Sequence, residues 1–296
     1  MKLRGIMVLL AFALMQVSCA SYFDTVMKSN DVDVKYKAAH EYFKQGKYKK
    51  AADVFDNLNL LVQGLPQEDT VTYYHGLSNY RYGDYETAEA ALAKYIEVYP
   101  RSPFVEEAKY LRIDCLYRAT HRYELDQTPT RKAMAVISEF MYDNPGSKYY
   151  PVCQDMMKDL MERLERKSFE SAKLYYTMED YKAARYALKN VLKDNSDNQY
   201  REDVLYYVAM SAYKYAYHSI EEKQKERYLA FVDDYLNFIG EIPESQYRRE
   251  LDSVYQRAQK ALGRHGALEV ESDMDERDFA KERRKILRES KKSDNQ

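Results

Sequence analysis

The chain has no tryptophan and only nine glycines and seven prolines in 296 residues. Tight turns are built largely from glycine and proline, so scarcity of both means few turns and long elements, and a fold of many short strands is excluded. Cysteine occurs three times, at Cys19, Cys115 and Cys153. Cys115 and Cys153 are too far apart in sequence for a metal-binding pair; in an oxidising compartment they either form a disulfide or stay as buried thiols. The five histidines, His40, His75, His121, His218 and His265, are scattered, with none paired as H-x-x-x-H. There is no glycine-rich phosphate loop and no G-x-S-x-G elbow. No catalytic residue, metal site or cofactor is therefore assigned, and the chain is not expected to be an enzyme. A net charge of −2 supplies no global basic field, so nucleic acid is not an expected partner.

Tyrosine, by contrast, is abundant, at 31 residues, and it marks a repeating pattern. From Asp69 to Pro103 the chain reads as two helices joined at Gly83-Asp84-Tyr85. Gly76 and Ala88 lack bulk, so the helices can cross closely there. Gly83 permits the turn, and Pro100 ends the second helix. These placements fit the 34-residue tetratricopeptide repeat. Gly46-Lys47-Tyr48-Lys49-Lys50-Ala51 repeats the turn upstream, and Glu179-Asp180-Tyr181-Lys182-Ala183-Ala184 repeats it downstream without the glycine. One such hairpin cannot bury its own apolar face, so neighbours must stack on it. The expected fold is all-α, a tetratricopeptide-like helical-hairpin solenoid of about five repeats with a C-terminal capping helix.

The chain opens with Lys2 and Arg4 and then an apolar run over Ile6–Met15, too short to span a bilayer. Residues 1–18 read as a lipoprotein signal peptide. Gln16-Val17-Ser18-Cys19 resembles a bacterial lipobox, with Gln16 where leucine is usual, so Cys19 is the expected lipidation site. Asp does not follow Cys19, and no acidic cluster follows it either. The expected location is the outer membrane, lipid-anchored and facing the periplasm.

Residues 19–31 read as a tether, 32–148 as repeats 1–3, and 149–262 as a long helix, repeats 4–5 and a cap. An insertion in the third repeat is expected near Arg118–Thr128. Residues 263–296, rich in both charge signs, read as a disordered tail or a loose single helix. The first helices of repeats 1 and 2 offer aromatic and amide groups at Tyr36, Tyr42, Tyr73, Asn79 and Tyr80. Such a set suits an extended or terminal peptide in a groove, although Tyr42 and Tyr80 also have the spacing of intra-repeat packing.

Tyr36-Lys37-Ala38-Ala39, the turn at Gly46, Phe55, the turn at Gly83, Tyr99-Pro100-x-Ser102-Pro103, Ala108-x-Tyr110-Leu111-Arg112 and Pro145-Gly146-Ser147-Lys148-Tyr149 together resemble the BamD family over roughly residues 32–262. These are lipoprotein subunits of the outer-membrane β-barrel assembly machine. The charged tail departs from the family pattern. The resemblance implies that the N-terminal repeats engage unfolded outer-membrane proteins, that the C-terminal repeats dock on the BamA-like barrel subunit, and that nothing is catalysed. The alternative is a generic tetratricopeptide-repeat scaffold lipoprotein of the envelope, with the same fold and anchor but other partners.

Overall fold

A computed structural model describes residues 22–270, with side chains described for residues 22–263. The expected signal peptide, Cys19 and residues 271–296 of the expected tail lie outside the described residues. Among the described residues there are twelve helices and no strand. The described residues divide into two compact units, one up to residue 161 and one from residue 162.

The first unit holds α1 (residues 22–28) and then three hairpins: α2 (Val32–Lys44) with α3 (Tyr48–Asn59), α4 (Glu68–Tyr82) with α5 (Tyr85–Val98), and α6 (Val105–Arg118) with α7 (Thr128–Asp143). It ends in the first part of α8 (Tyr150–Thr177). The hairpin turns follow from backbone chemistry. Gly46 and Gly83 sit at φ 71° and 94°, a left-handed conformation that costs a side-chain-bearing residue about 1–2 kcal/mol. Asp84 then opens α5, its carboxylate accepting from the Thr87 amide at 3.1 Å. A methyl group at Gly76 would stand 2.9 Å from Leu92 Cδ2, so a side chain there would have to displace the buried Leu92 side chain of α5. Ala88 and Leu92 on the facing helix are fully buried.

Residues 22–28 of the expected tether form a packed helix instead. Val26 is buried, and Phe23 and Met27 pack on the core of the first hairpin. The apolar spacing of these three positions supplies a helical face that α2 and α3 cover. Lys35, itself fully buried, donates from Nζ to the Met27 carbonyl at 2.8 Å and to the Asn57 side-chain oxygen, closing the C-terminus of α1. The insertion of the third repeat is the loop over residues 119–127, pinned where Gln127 Nε2 donates to the carbonyls of Arg122 and Leu125.

The second unit contains the rest of α8, then α9 (Tyr181–Asp194), α10 (Arg201–Tyr217), α11 (Glu221–Glu241) and α12 (Arg248–Val270). The α8–α9 and α10–α11 pairs are the fourth and fifth hairpins, and α12 is the cap. The cap begins at Arg248 and runs on to Val270, past the expected limit of 262. α10 is the centre of this unit. Ten of its residues are buried, among α9, α11 and α12. The division between units falls inside α8 rather than at residues 148 and 149, because α8 serves two cores. Cys153, Met156 and Leu160 join α6 and α7, whereas Phe169 and Ala172 join α9 and α10. Cys115 and Cys153 are free and buried in separate clusters, with burial raising their pKa values to about 12 and about 11.

One device recurs at four repeat junctions. An acid and an aromatic four residues apart on a first helix meet a Ser or Asn and an aromatic two residues apart in the following loop. Tyr73 stacks on Phe104 with centroids 4.5 Å apart, Tyr110 on Tyr149 at 4.1 Å, Phe169 on Tyr200 at 5.3 Å and Tyr206 on Tyr247 at 4.0 Å. The loop residue holds its aromatic by accepting from that residue's amide: Ser102, Ser147, Asn198 and Ser245 all do so. The serines also donate to the acid, Ser102 to Asp69, Ser147 to Glu106 and Ser245 to Glu202. At the remaining junction Glu165 accepts from Asn195 and from the Gln199 amide.

Candidate functional site

The first helices of repeats 1 and 2, α2 and α4, carry the residues expected to line a peptide groove, and burial separates them. Tyr42 is 6% exposed, its ring packed between Tyr22 and Phe23 of α1. Tyr73 is 3% exposed, spent on its stack with Phe104; burial, and then Glu107, raise its hydroxyl pKa. Asn79 is 4% exposed and donates to the His75 carbonyl at 3.0 Å. These three are buried where a contact face was expected, because residues at i, i+3 and i+4 on a helix that is covered on two sides mostly point into packing.

Tyr36 and Tyr80 are half-buried and keep an open edge. Tyr80 donates its hydroxyl to Asp114 at 2.7 Å, and the Arg118 guanidinium pairs with the same carboxylate. Burial and this acceptor raise the Tyr80 pKa. Arg118 also lies 5.1 Å from the centre of the Tyr85 ring. The result is a tie from repeat 2 to repeat 3, in which a nearly buried carboxylate is matched by a phenol and a cation.

Beside Tyr36 the first two repeats hold three residues that sequence reasoning did not single out, His40, Phe43 and Tyr74. Tyr36, His40, Phe43 and Tyr74 are all half-buried and are linked in a chain of ring contacts. His40 lies 4.5 Å from Tyr36 and 4.6 Å from Tyr74, and Phe43 lies 5.2 Å from Tyr74. Burial, and then the charge of Lys44, lower the His40 pKa, so the cluster is neutral at ordinary pH. The available signal was the spacing of Tyr36, His40 and Phe43, at i, i+4 and i+7, which puts all three on one stripe. A neutral aromatic shelf can cover extended, apolar side chains of a peptide.

The second unit presents other exposed apolar side chains. Leu174, Tyr175 and Met178 lie at the end of α8, and Tyr217 and Ile220 at the end of α10, all more than two-fifths exposed. Tyr181 stacks on His218 between these two hairpin turns. Within the same unit Asp234, almost fully buried, holds Arg185 and Lys189 of α9 against α11, the lysine at 2.7 Å.

Among the described residues no group of His, Cys, Asp and Glu is arranged to hold a metal ion, and no helix is long and apolar enough to cross a membrane. A model of the family YfiO, outer membrane lipoprotein, matches residues 28–228, about two thirds of the chain and parts of both units. No curated protein matches the chain.

Proposed function

This chain belongs to the YfiO family of outer membrane lipoproteins, and on that premise we propose that it is the lipid-anchored periplasmic subunit of the outer-membrane β-barrel assembly complex. Its signal peptide ends at Ser18, and Cys19 carries the lipid. The N-terminal repeats bind unfolded outer-membrane proteins, the C-terminal repeats dock on a BamA-like barrel subunit, and the chain catalyses no reaction. The observation that carries client binding is the half-buried aromatic shelf of Tyr36, His40, Phe43 and Tyr74. Tyr73 packs against Tyr74 of that shelf, and Tyr42, Asn79 and Tyr80 hold the helices that bear it. Docking on the barrel subunit is assigned to the exposed apolar side chains of the second unit, Leu174 and Met178 foremost. Exposed apolar residues clustered at element ends suit protein contact.

The test uses the full chain with a C-terminal tag, purified from membranes in mild detergent. A barrel protein with periplasmic POTRA domains should co-purify near one-to-one, and Leu174→Asp with Met178→Asp should reduce its recovery. Peptidoglycan enzymes without a barrel subunit would sink the reading. Tyr36→Ala should weaken binding of a C-terminal outer-membrane-protein peptide by about tenfold, the size of a moderate interface truncation. Unchanged affinity would remove the shelf as the client site.

The second reading is a scaffold lipoprotein for another envelope complex. It is favoured by one observation: the family match stops at residue 228, inside α11, so the rest of α11 and the cap lie beyond it.

A further inference from the structure

The turn between α2 and α3 is the most basic stretch of the first unit. Residues 44–50 contain Lys44, Lys47, Lys49 and Lys50 and no acid. Lys44, Lys47 and Lys49 are exposed. Lys49 pairs with Asp53 at 3.0 Å and lies 5.6 Å from the ring of Tyr82, itself 53% exposed at the turn of the second hairpin. The nearby Asp84 carboxylate is engaged in capping α5. The surface is thus four lysines, one of them paired with Asp53 and near Asp84, beside an exposed tyrosine.

Its position relative to the chain's entry is set by α1. Tyr22 and Phe23 lie against Tyr42 at the C-terminal end of α2, at 6.5 and 5.8 Å, and Lys50 lies 5.3 Å from the Phe23 ring. Met27, at the other end of α1, is bonded to Lys35 near the start of α2. α1 therefore runs antiparallel to α2, and the chain enters the first unit at the lysine-bearing turn. Cys19 precedes Tyr22 by three residues, which span about 11 Å at most whatever their conformation. An acyl chain on Cys19 enters the bilayer at the headgroup level. The lysine turn is then held at that layer, where lysine attracts anionic headgroups and tyrosine is favoured.

We propose that the α2–α3 turn is a binding surface for the anionic phospholipid headgroups of the membrane that holds the chain's own lipid, with Lys44, Lys47, Lys49 and Lys50 as the contacts. It adds a second membrane signal to the acyl anchor and orients the first hairpin with its turn towards the bilayer. This inference rests on the lipoprotein reading above, and the test separates the two.

The full-length acylated protein is reconstituted into phosphatidylcholine vesicles containing either no phosphatidylglycerol or about one third of it. After flotation, lysine acetylation is followed residue by residue by mass spectrometry. Lys44, Lys47 and Lys49 should react about fivefold more slowly in the anionic vesicles, and this protection should disappear near 1 M salt, where screening reaches ~3 Å. Lys28 and Lys94, towards the far ends of their helices, should react equally in both. Equal reactivity of the turn lysines in both vesicles, with the protein still floating, overturns the inference and leaves the anchor intact. Protein that floats with neither vesicle overturns the anchor and the inference together. Protection by an outer-membrane-protein peptide in detergent, with none from vesicles, overturns it in favour of a client site.

Discussion

Three hairpin turns place one residue each in the left-handed region, and only two of those residues are glycine. Gly46 and Gly83 pay no steric cost, whereas Glu179, at φ 63°, carries a side chain there. Glu179→Gly relieves about 1–2 kcal/mol of strain and gives back about 0.5–1 kcal/mol through the greater freedom of the unfolded chain. A net gain of up to ~1.5 kcal/mol is expected, read as a higher urea midpoint at unchanged slope; a lower midpoint would contradict the strain argument. His40 provides a pH signature at the same scale. Burial, and then Lys44, hold its folded pKa below the ordinary 6.5. Between those two values the unfolded state binds the proton and the folded state does not. Stability is therefore full above pH 6.5 and falls as pH drops through the interval. Burial similarly lowers the pKa of His75. His40→Phe keeps the ring contacts and removes the titration, so the fall in stability on acidification should be shallower in the variant. Identical pH slopes would show that His40 is not a contributor.

At the scale of elements, the repeat junctions explain much of the tyrosine. Four coplanar or nearly coplanar ring pairs join a first helix to the loop that opens the next repeat. Such pairs contribute about 0.5–1.5 kcal/mol beyond the area they bury. For Tyr110 and Tyr149, replacing each by Leu and then both should give a coupling in that range when stability is measured around a double-mutant cycle. Strict additivity would mean that the rings are neighbours without an energetic partnership. The acid four residues before each first-helix aromatic, and the Ser or Asn two before each loop aromatic, belong to the same device. That pairing of two short patterns, 31 to 41 residues apart between the aromatics, can be read from the sequence once the junctions are known.

Across the whole molecule, the division between the two compact units falls within α8, and each unit has its own core. Hairpin repeats contact mainly their neighbours, and stability is then close to a sum of local terms. Phe55 is fully buried in the core of the first hairpin. Phe55→Ala should cost about 3–5 kcal/mol and raise amide hydrogen exchange over α2–α7, while α10 and α11 stay at wild-type rates. Exchange rising equally in both units would mean that they unfold as one.

The sequence alone determined the helical class, the hairpin turns at Gly46, Gly83 and Glu179, the close helix crossing at Gly76 and the long α8. Each rests on local chemistry, a backbone conformation or a periodicity that neighbouring residues express without help. It did not determine which tyrosines face outwards. Tyr42, Tyr73 and Tyr36 have the same composition and similar spacing, yet α1 covers the first and Phe104 the second, while Tyr36 keeps an open edge. Nor did it show that residues 22–28 pack as a helix, since seven residues cannot hold a helix on propensity alone and depend on α2 and α3 to bury Val26. Burial is a property of what lies opposite a side chain, often many residues away, and only the tertiary structure decides it.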